Sequence, residues 1–114
     1  MNLEATPREI DGIMIIDLSG RITLGEGSAL LRRMVQDLLQ KGQKKIVLNL
    51  ADVNYIDSSG IGELVSGFTT ARNHGGELKL LHLTKKVHDL LQITKLYTVF
   101  DIYSDERTAA ASFR

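Results

Sequence analysis

Asp57, Ser58 and Ser59 stand in succession before Gly60-Ile61-Gly62. A hydroxyl beside a carboxylate can serve as a base-activated nucleophile or as the cap of a helix. The first role needs a base, and the sequence around Ser58 offers none in a recognisable motif. There is no G-x-S-x-G elbow to place the serine on a strained turn beside oxyanion donors. The three histidines, His74, His82 and His88, do not have the H-x-x-x-H spacing that puts two metal ligands on one helix face. His74 precedes glycines that end a helix, His82 alternates with Leu81 and Leu83 on a predicted strand, and His88 is expected on a solvated face. No catalytic residue and no metal ligand is therefore assigned.

Phosphate-cradling loops are likewise incomplete. Gly25-Glu26-Gly27-Ser28-Ala29-Leu30 begins like a dinucleotide fingerprint, but Leu30 stands where the third glycine is needed, and no G-x-x-x-x-G-K-[ST] segment occurs. The chain is expected to carry no cofactor. Its 114 residues suit one domain, 1–114, with an ordinary hydrophobic share of 43%. Fourteen basic and fourteen acidic residues cancel, and the pairs Lys44-Lys45 and Lys85-Lys86 are too short to track a nucleic-acid backbone. Direct nucleic-acid binding is not expected. The absence of cysteine excludes disulfides and thiolate chemistry. The start MNLEATPREIDG lacks the basic and apolar regions of a signal peptide, and no apolar run approaches the ~20 residues of a membrane span. A cytoplasmic location without membrane contact is the simplest expectation.

The elements that must position Asp57–Gly62 follow from periodicity. Residues 2–19 form two strands about Asp11-Gly12, with Pro7 confining the first to a sheet edge and residues 13–18 apolar enough for an interior strand. Leu30, Leu31, Met34, Val35, Leu38 and Leu39 recur at helical spacing over 28–40, and Gly42 ends that helix. A strand over 46–50 precedes the Asp57 cluster. Beyond it, Ile61, Leu64, Val65, Phe68 and Ala71 mark a helix starting near Ser58 and stopped by Gly75-Gly76. Residues 77–83 form a strand, Thr84 caps a helix through Leu91, residues 99–102 form a last strand, and Ser104 begins a terminal helix. This order predicts an α/β fold: a mixed four- to five-stranded sheet, mostly parallel, with helices packed against it.

Capping explains one oxygen at a helix start, at about 1 kcal/mol. It does not explain two hydroxyls followed by two glycines, each of which costs about 1 kcal/mol in a helix interior. The segment IVLNLADVNYIDSSGIGELV, together with Ile16-Asp17-Leu18-Ser19-Gly20-Arg21-Ile22 and Gly75-Gly76-Glu77-Leu78, strongly resembles the STAS domains of bacterial anti-sigma factor antagonists. The resemblance spans nearly the whole chain. It implies a partner-switching protein, not an enzyme, that binds an anti-sigma factor serine kinase and so frees a sigma factor. Ser58 matches the phosphorylated serine of that family; the kinase brings ATP and magnesium, and a PP2C-type phosphatase resets the switch. Asp57, Ser58, Ser59, Gly60, Gly62 and Thr23 are the implied partner-binding residues. Asp57 is expected to cap, Ser59 to cap or touch the partner, and the two glycines to let the partner approach. Many relatives have G-x-[LI]-D where this chain has Gly20-Arg21-Ile22-Thr23, so a negative charge is replaced by a hydroxyl that can still cap. A scaffold or transport-associated STAS module that does not switch is the alternative. Either a monomer or a weak dimer fits.

Overall fold

The computed structural model of the protein describes residues 3–113. Asn2, the first residue of the predicted hairpin, lies outside them. Strands β1 (Leu3–Ile10) and β2 (Ile13–Ile22) pair antiparallel about Asp11 and Gly12, whose φ angles of 54° and 81° give the positive pair of a tight hairpin turn. Pro7 lies on β1, at the edge of a sheet ordered β1-β2-β3-β4-β5. After helix α1 (Glu26–Gln40) come β3 (Lys45–Ile56), α2 (Ser58–Asn73), β4 (Glu77–Leu81), α3 (Lys85–Ile93), β5 (Ile102–Tyr103) and α4 (Glu106–Ala111). From β2 onward every neighbouring pair is parallel, so a helix carries the chain back between successive strands. The predicted stops hold: the Gln43 N–H returns 2.9 Å to the Leu38 carbonyl and the Gly76 N–H returns 2.8 Å to that of Ala71.

Four elements differ most from expectation. Strand β3 continues past Leu50 to Ile56, because Asp52, Val53, Tyr55 and Ile56 pair with Ser19, Gly20, Arg21 and Ile22 beyond two register irregularities. Polar Asp52 and Asn54 are exposed on this extension while Val53 and Ile56 are buried, a half-exposed pattern that a search for apolar runs misses. The last strand is Ile102–Tyr103 and not 99–102. Val99 is exposed, and Phe100 leaves the strand line to meet Phe68 edge-to-face at 5.5 Å. His82 follows β4 in a left-handed conformation, φ 57°, so it is not a strand residue. Helix α4 starts at Glu106, later than predicted, and Asp105 caps it in place of Ser104 by accepting the Thr108 N–H at 2.8 Å.

The main core lies on one face of the sheet, where Leu31, Val35, Leu64, Ala71, Val87 and Leu91 of α1, α2 and α3 cover Ile16, Leu18, Leu48, Leu50 and Leu80. Burial of large aliphatic side chains there, at roughly 1.5–3 kcal/mol each, supplies the driving force for the fold. On the opposite face α4 places Ala109 against Ile13, Ile15, Val47 and Leu81. So small an apolar contact is supplemented by polar ties. Arg8 on β1 donates to Asp17 at 2.6 Å and to Glu106 at 2.6 Å, and Asn49 donates to Asp17 at 2.8 Å. The buried Lys79 donates to the Ser112 hydroxyl at 2.8 Å, and its ammonium sits 4.4 Å from the Phe113 ring centroid.

The Arg8 guanidinium holds the carboxyls of Asp17 and Glu106 below their usual range, and the Thr108 N–H does the same for Asp105. Depressed folded-state values contribute stability that is present above the unfolded values, 3.8 for Asp and 4.5 for Glu, and is lost as pH falls through the lower folded ones. Acidification below pH 4.5 is therefore expected to release α4 before the main core, seen as faster amide exchange in 106–111 than in β3. Arg8→Ala is expected to cost on the order of 1 kcal/mol at neutral pH, given that its carboxylate partners are over a third exposed and screened. In chemical denaturation that deficit should vanish at acid pH.

Candidate functional site

The parallel pairing of β2 and β3 ends side by side at Ile22 and Ile56, and the next residue, Asp57, donates its N–H to the Ile22 carbonyl at 3.3 Å. Asp57 is extended, with φ −111°, and its Oδ1 accepts the Gly60 N–H at 2.9 Å. It is the N-cap of α2, and the Ile61 N–H returning 3.0 Å to its carbonyl opens the helix. Ser58 is then the first helical residue. It is exposed, Ser59 is half-buried, and neither hydroxyl has a hydrogen-bond partner among the described residues. Asp57 thus satisfies an amide that Ser58 would otherwise be free to cap, which leaves the Ser58 hydroxyl facing solvent at the positive end of the helix dipole.

The glycines separate into two cases. Gly60 is buried, and a Cβ there would collide with the Ile22 carbonyl oxygen and lie 2.6 Å from Cγ1 of Ile56. The expectation that Gly60 clears space for a partner is corrected: its missing side chain admits the chain's own backbone. Gly62 is exposed, and a Cβ there would meet nothing within 4 Å, so that face is open. Thr23 is also corrected as a cap. The N-cap of α1 is Gly25 without a side-chain bond, and Thr23 contributes only its carbonyl, which accepts the Ser28 hydroxyl at 2.8 Å and the Ser28 N–H at 3.2 Å. Leu24 beside it is 79% exposed.

Further residues complete the surroundings. Arg32 on α1 makes a bidentate pair with Glu63 on α2, at 3.0 and 2.9 Å, and the Glu63 side chain is only 8% exposed. This pair fixes α2 against α1 one turn behind Ser58. At the strand ends, Tyr55 is half-buried with Arg21 4.6 Å and Lys86 5.0 Å from its ring centroid. The histidines stand elsewhere: His74 contacts the Thr70 carbonyl, and His88 lies edge-to-face on Tyr97 at 5.0 Å. Among the described residues no group of three or more His, Asp or Glu side chains is placed to hold a metal ion, and no helix is long and apolar enough to cross a membrane.

The STAS domain profile matches residues 4–109. The chain belongs to the STAS domain family. An anti-sigma F factor antagonist from Paenibacillus polymyxa is 30% identical over 110 residues, which is 96% of this chain and 93% of that protein. A crystal structure from Thermotoga maritima, described as a candidate anti-sigma factor antagonist, is similar with a TM-score of 0.87 at 29% identity, covering 96% of this chain and 94% of that one. The Bacillus cell fate determinant SpoIIAA in its phosphorylated form has the same fold, with a TM-score of 0.75 at 18% identity over 97% of this chain and 100% of that one.

Within this STAS domain, sequence reasoning located the start of α2 and its cap but missed Arg32–Glu63 and the group around Tyr55. Both assemble residues far apart in the chain, and only strand register or helix packing brings them together. The two glycines supply a direct check on the site geometry. Gly60→Ala is expected to destabilise the domain by about 1–3 kcal/mol through overpacking against β2. Gly62→Ala, in open space on the same helix, is expected to stabilise it by up to about 1 kcal/mol. Urea unfolding of the two variants tests the opposite signs.

Proposed function

We propose that this STAS domain is an anti-sigma factor antagonist that binds an anti-sigma factor serine kinase in its unphosphorylated form, thereby releasing a sigma factor, and is switched off by phosphorylation of Ser58. The observation that carries the reading is the division of labour at the helix start: Asp57 caps α2, while the neighbouring Ser58 hydroxyl is exposed and unbonded among the described residues. The function of the Paenibacillus relative supports it, as does the existence of SpoIIAA in a phosphorylated form.

In this reading Ser58 is a substrate and not a catalyst. The kinase binds ATP and magnesium, takes the proton from the Ser58 hydroxyl, and directs Oγ to the γ-phosphorus as the bond to the ADP oxygen breaks. The product is a phosphoserine with roughly −1.5 to −2 charges. A helix N-terminus tolerates that charge, so the fold is retained. The partner does not tolerate it, because a bulky dianion now occupies a surface shaped for a small neutral hydroxyl. Ser59, exposed Gly62 and the Thr23–Leu24 loop lie on the same rim and complete the contact surface. A PP2C-type phosphatase restores the hydroxyl.

Ser58→Ala is expected to bind the kinase normally and to incorporate no phosphate from labelled ATP, whereas phosphorylated wild type should bind roughly a hundredfold more weakly, equivalent to ~3 kcal/mol. Calorimetry with phosphosite mapping reads both quantities. Equal affinity before and after phosphorylation would identify a STAS module that does not switch, and undiminished labelling of Ser58→Ala would place the acceptor elsewhere.

A further inference from the structure

Three residues from separate elements meet at the end of the sheet that carries α2. Arg21 is on β2, Tyr55 is its register partner on β3, and Lys86 lies in the first turn of α3. The guanidinium carbon of Arg21 is 4.6 Å from the Tyr55 ring centroid and the Lys86 ammonium 5.0 Å. Both cations are exposed, and neither has a carboxylate within ion-pair distance among the described residues. This contrasts with their surroundings: Lys85, adjacent to Lys86, pairs with Asp89 at 2.7 Å, and Arg32 pairs with Glu63 at 2.9 Å.

The electron-rich ring of Tyr55 attracts both cations and holds them near the end of the sheet without neutralising either charge. An anion reaching this surface meets two positive charges that no carboxylate among the described residues compensates. A carboxylate fits especially well, because the planar fork of arginine presents paired donors to its two oxygens while the lysine supplies a point charge. The group also adjoins the switch through the backbone. Arg21 precedes Ile22, whose carbonyl receives the Asp57 N–H, and Tyr55 is followed after Ile56 by Asp57 and Ser58.

We propose that Arg21, Tyr55 and Lys86 form an anion clamp that receives an acidic segment, an aspartate or glutamate side chain with its neighbours, of the anti-sigma factor partner. This rests on the function proposed above and specifies the chemistry of the partner's surface. It also gives phosphorylation a second effect. A dianion on Ser58 repels the incoming carboxylates, so charge acts together with bulk in ending the complex.

The test uses the full chain and a purified anti-sigma factor kinase from the same genome. Affinity and association rate are measured at low and high salt for wild type, for Arg21→Gln with Lys86→Gln, and for Arg21→Glu with Lys86→Glu. The charge-reversed variant is expected to lose on the order of tenfold or more in affinity at low salt, chiefly in association rate, with the neutral variant intermediate. The difference should shrink at high salt, and circular dichroism should show all three proteins folded at the assay temperature. Equal affinity and equal salt dependence, with wild type still bound and phosphorylated on Ser58, would overturn the clamp and leave the proposed function standing. A loss that is the same at every salt concentration would also overturn it, since the contact would not be one of charge. Failure of the wild type to bind any such kinase would remove both proposals together.

Discussion

The close approach of α2 to the end of β2 governs the geometry of this molecule's working surface. The Ile22 carbonyl receives the Asp57 N–H, and the first turn of α2 then passes so near that oxygen that position 60 has no room for a side chain. Two distant segments, the β2–α1 loop and the Asp57–Gly62 turn, are thereby locked into one surface. The lock depends in turn on the long parallel pairing of β2 with β3, which survives two irregularities to reach Ile22 and Ile56. A shorter β3, as apolar content alone suggests, would leave the helix start tethered by a loop and free to drift from Thr23 and Leu24.

The layering of the sheet explains why the surface forms at this end. In open α/β sheets the connections after the carboxyl ends of parallel strands are the ones free to vary and to bind, because the opposite ends are occupied by chain returning from the helices. Here the ends of β2 and β3 deliver Thr23 and Ser58, and the start of α3 beyond β4 delivers Lys86. The main core beneath, shared by α1, α2 and α3, holds these elements rigid, and the buried Glu63 pairing with Arg32 prevents α2 from rotating about its own axis. Helix α4 lies on the other face of the sheet, held by a small apolar patch and the Arg8 network, and contributes nothing to the rim. Local stability is thus distributed so that the smaller apolar contact of α4 lies away from the Ser58 surface.

Much of this was legible in the sequence where a local rule sufficed. Asp57 and Thr84 cap helices as their residue types suggest, each accepting an N–H three residues on, and the 3.6-residue periodicities located α1 and α2. The misses share one physical cause, which is that a tertiary contact overrode a local pattern. Val99 and Phe100 look like a strand, yet Phe100 is drawn into the core against Phe68. Residues 51–56 look like a connection, yet β2 recruits them into the sheet. Gly60 and Gly62 look equivalent, and only the Ile22 carbonyl distinguishes them. Arg21, Tyr55 and Lys86 carry no common signal at all, because their meeting is a product of register and helix placement.

The separation of the capping Asp57 from the exposed Ser58 bears on how the proposed switch would work. If Ser58 were itself the N-cap, phosphorylation would replace its capping oxygen by a bulky group and cost the helix about 1 kcal/mol, so the signal would appear partly as lost stability. With Asp57 holding the Gly60 amide, the phosphate instead meets the unsatisfied amides and positive dipole of the first turn, which favour it by about 0.3–1 kcal/mol. Under the proposed switch the fold would be at least as stable with the phosphate as without it. In that proposal the free-energy difference between the two states would be expressed at the surface a partner meets, and would not be dissipated in unfolding the domain that presents it.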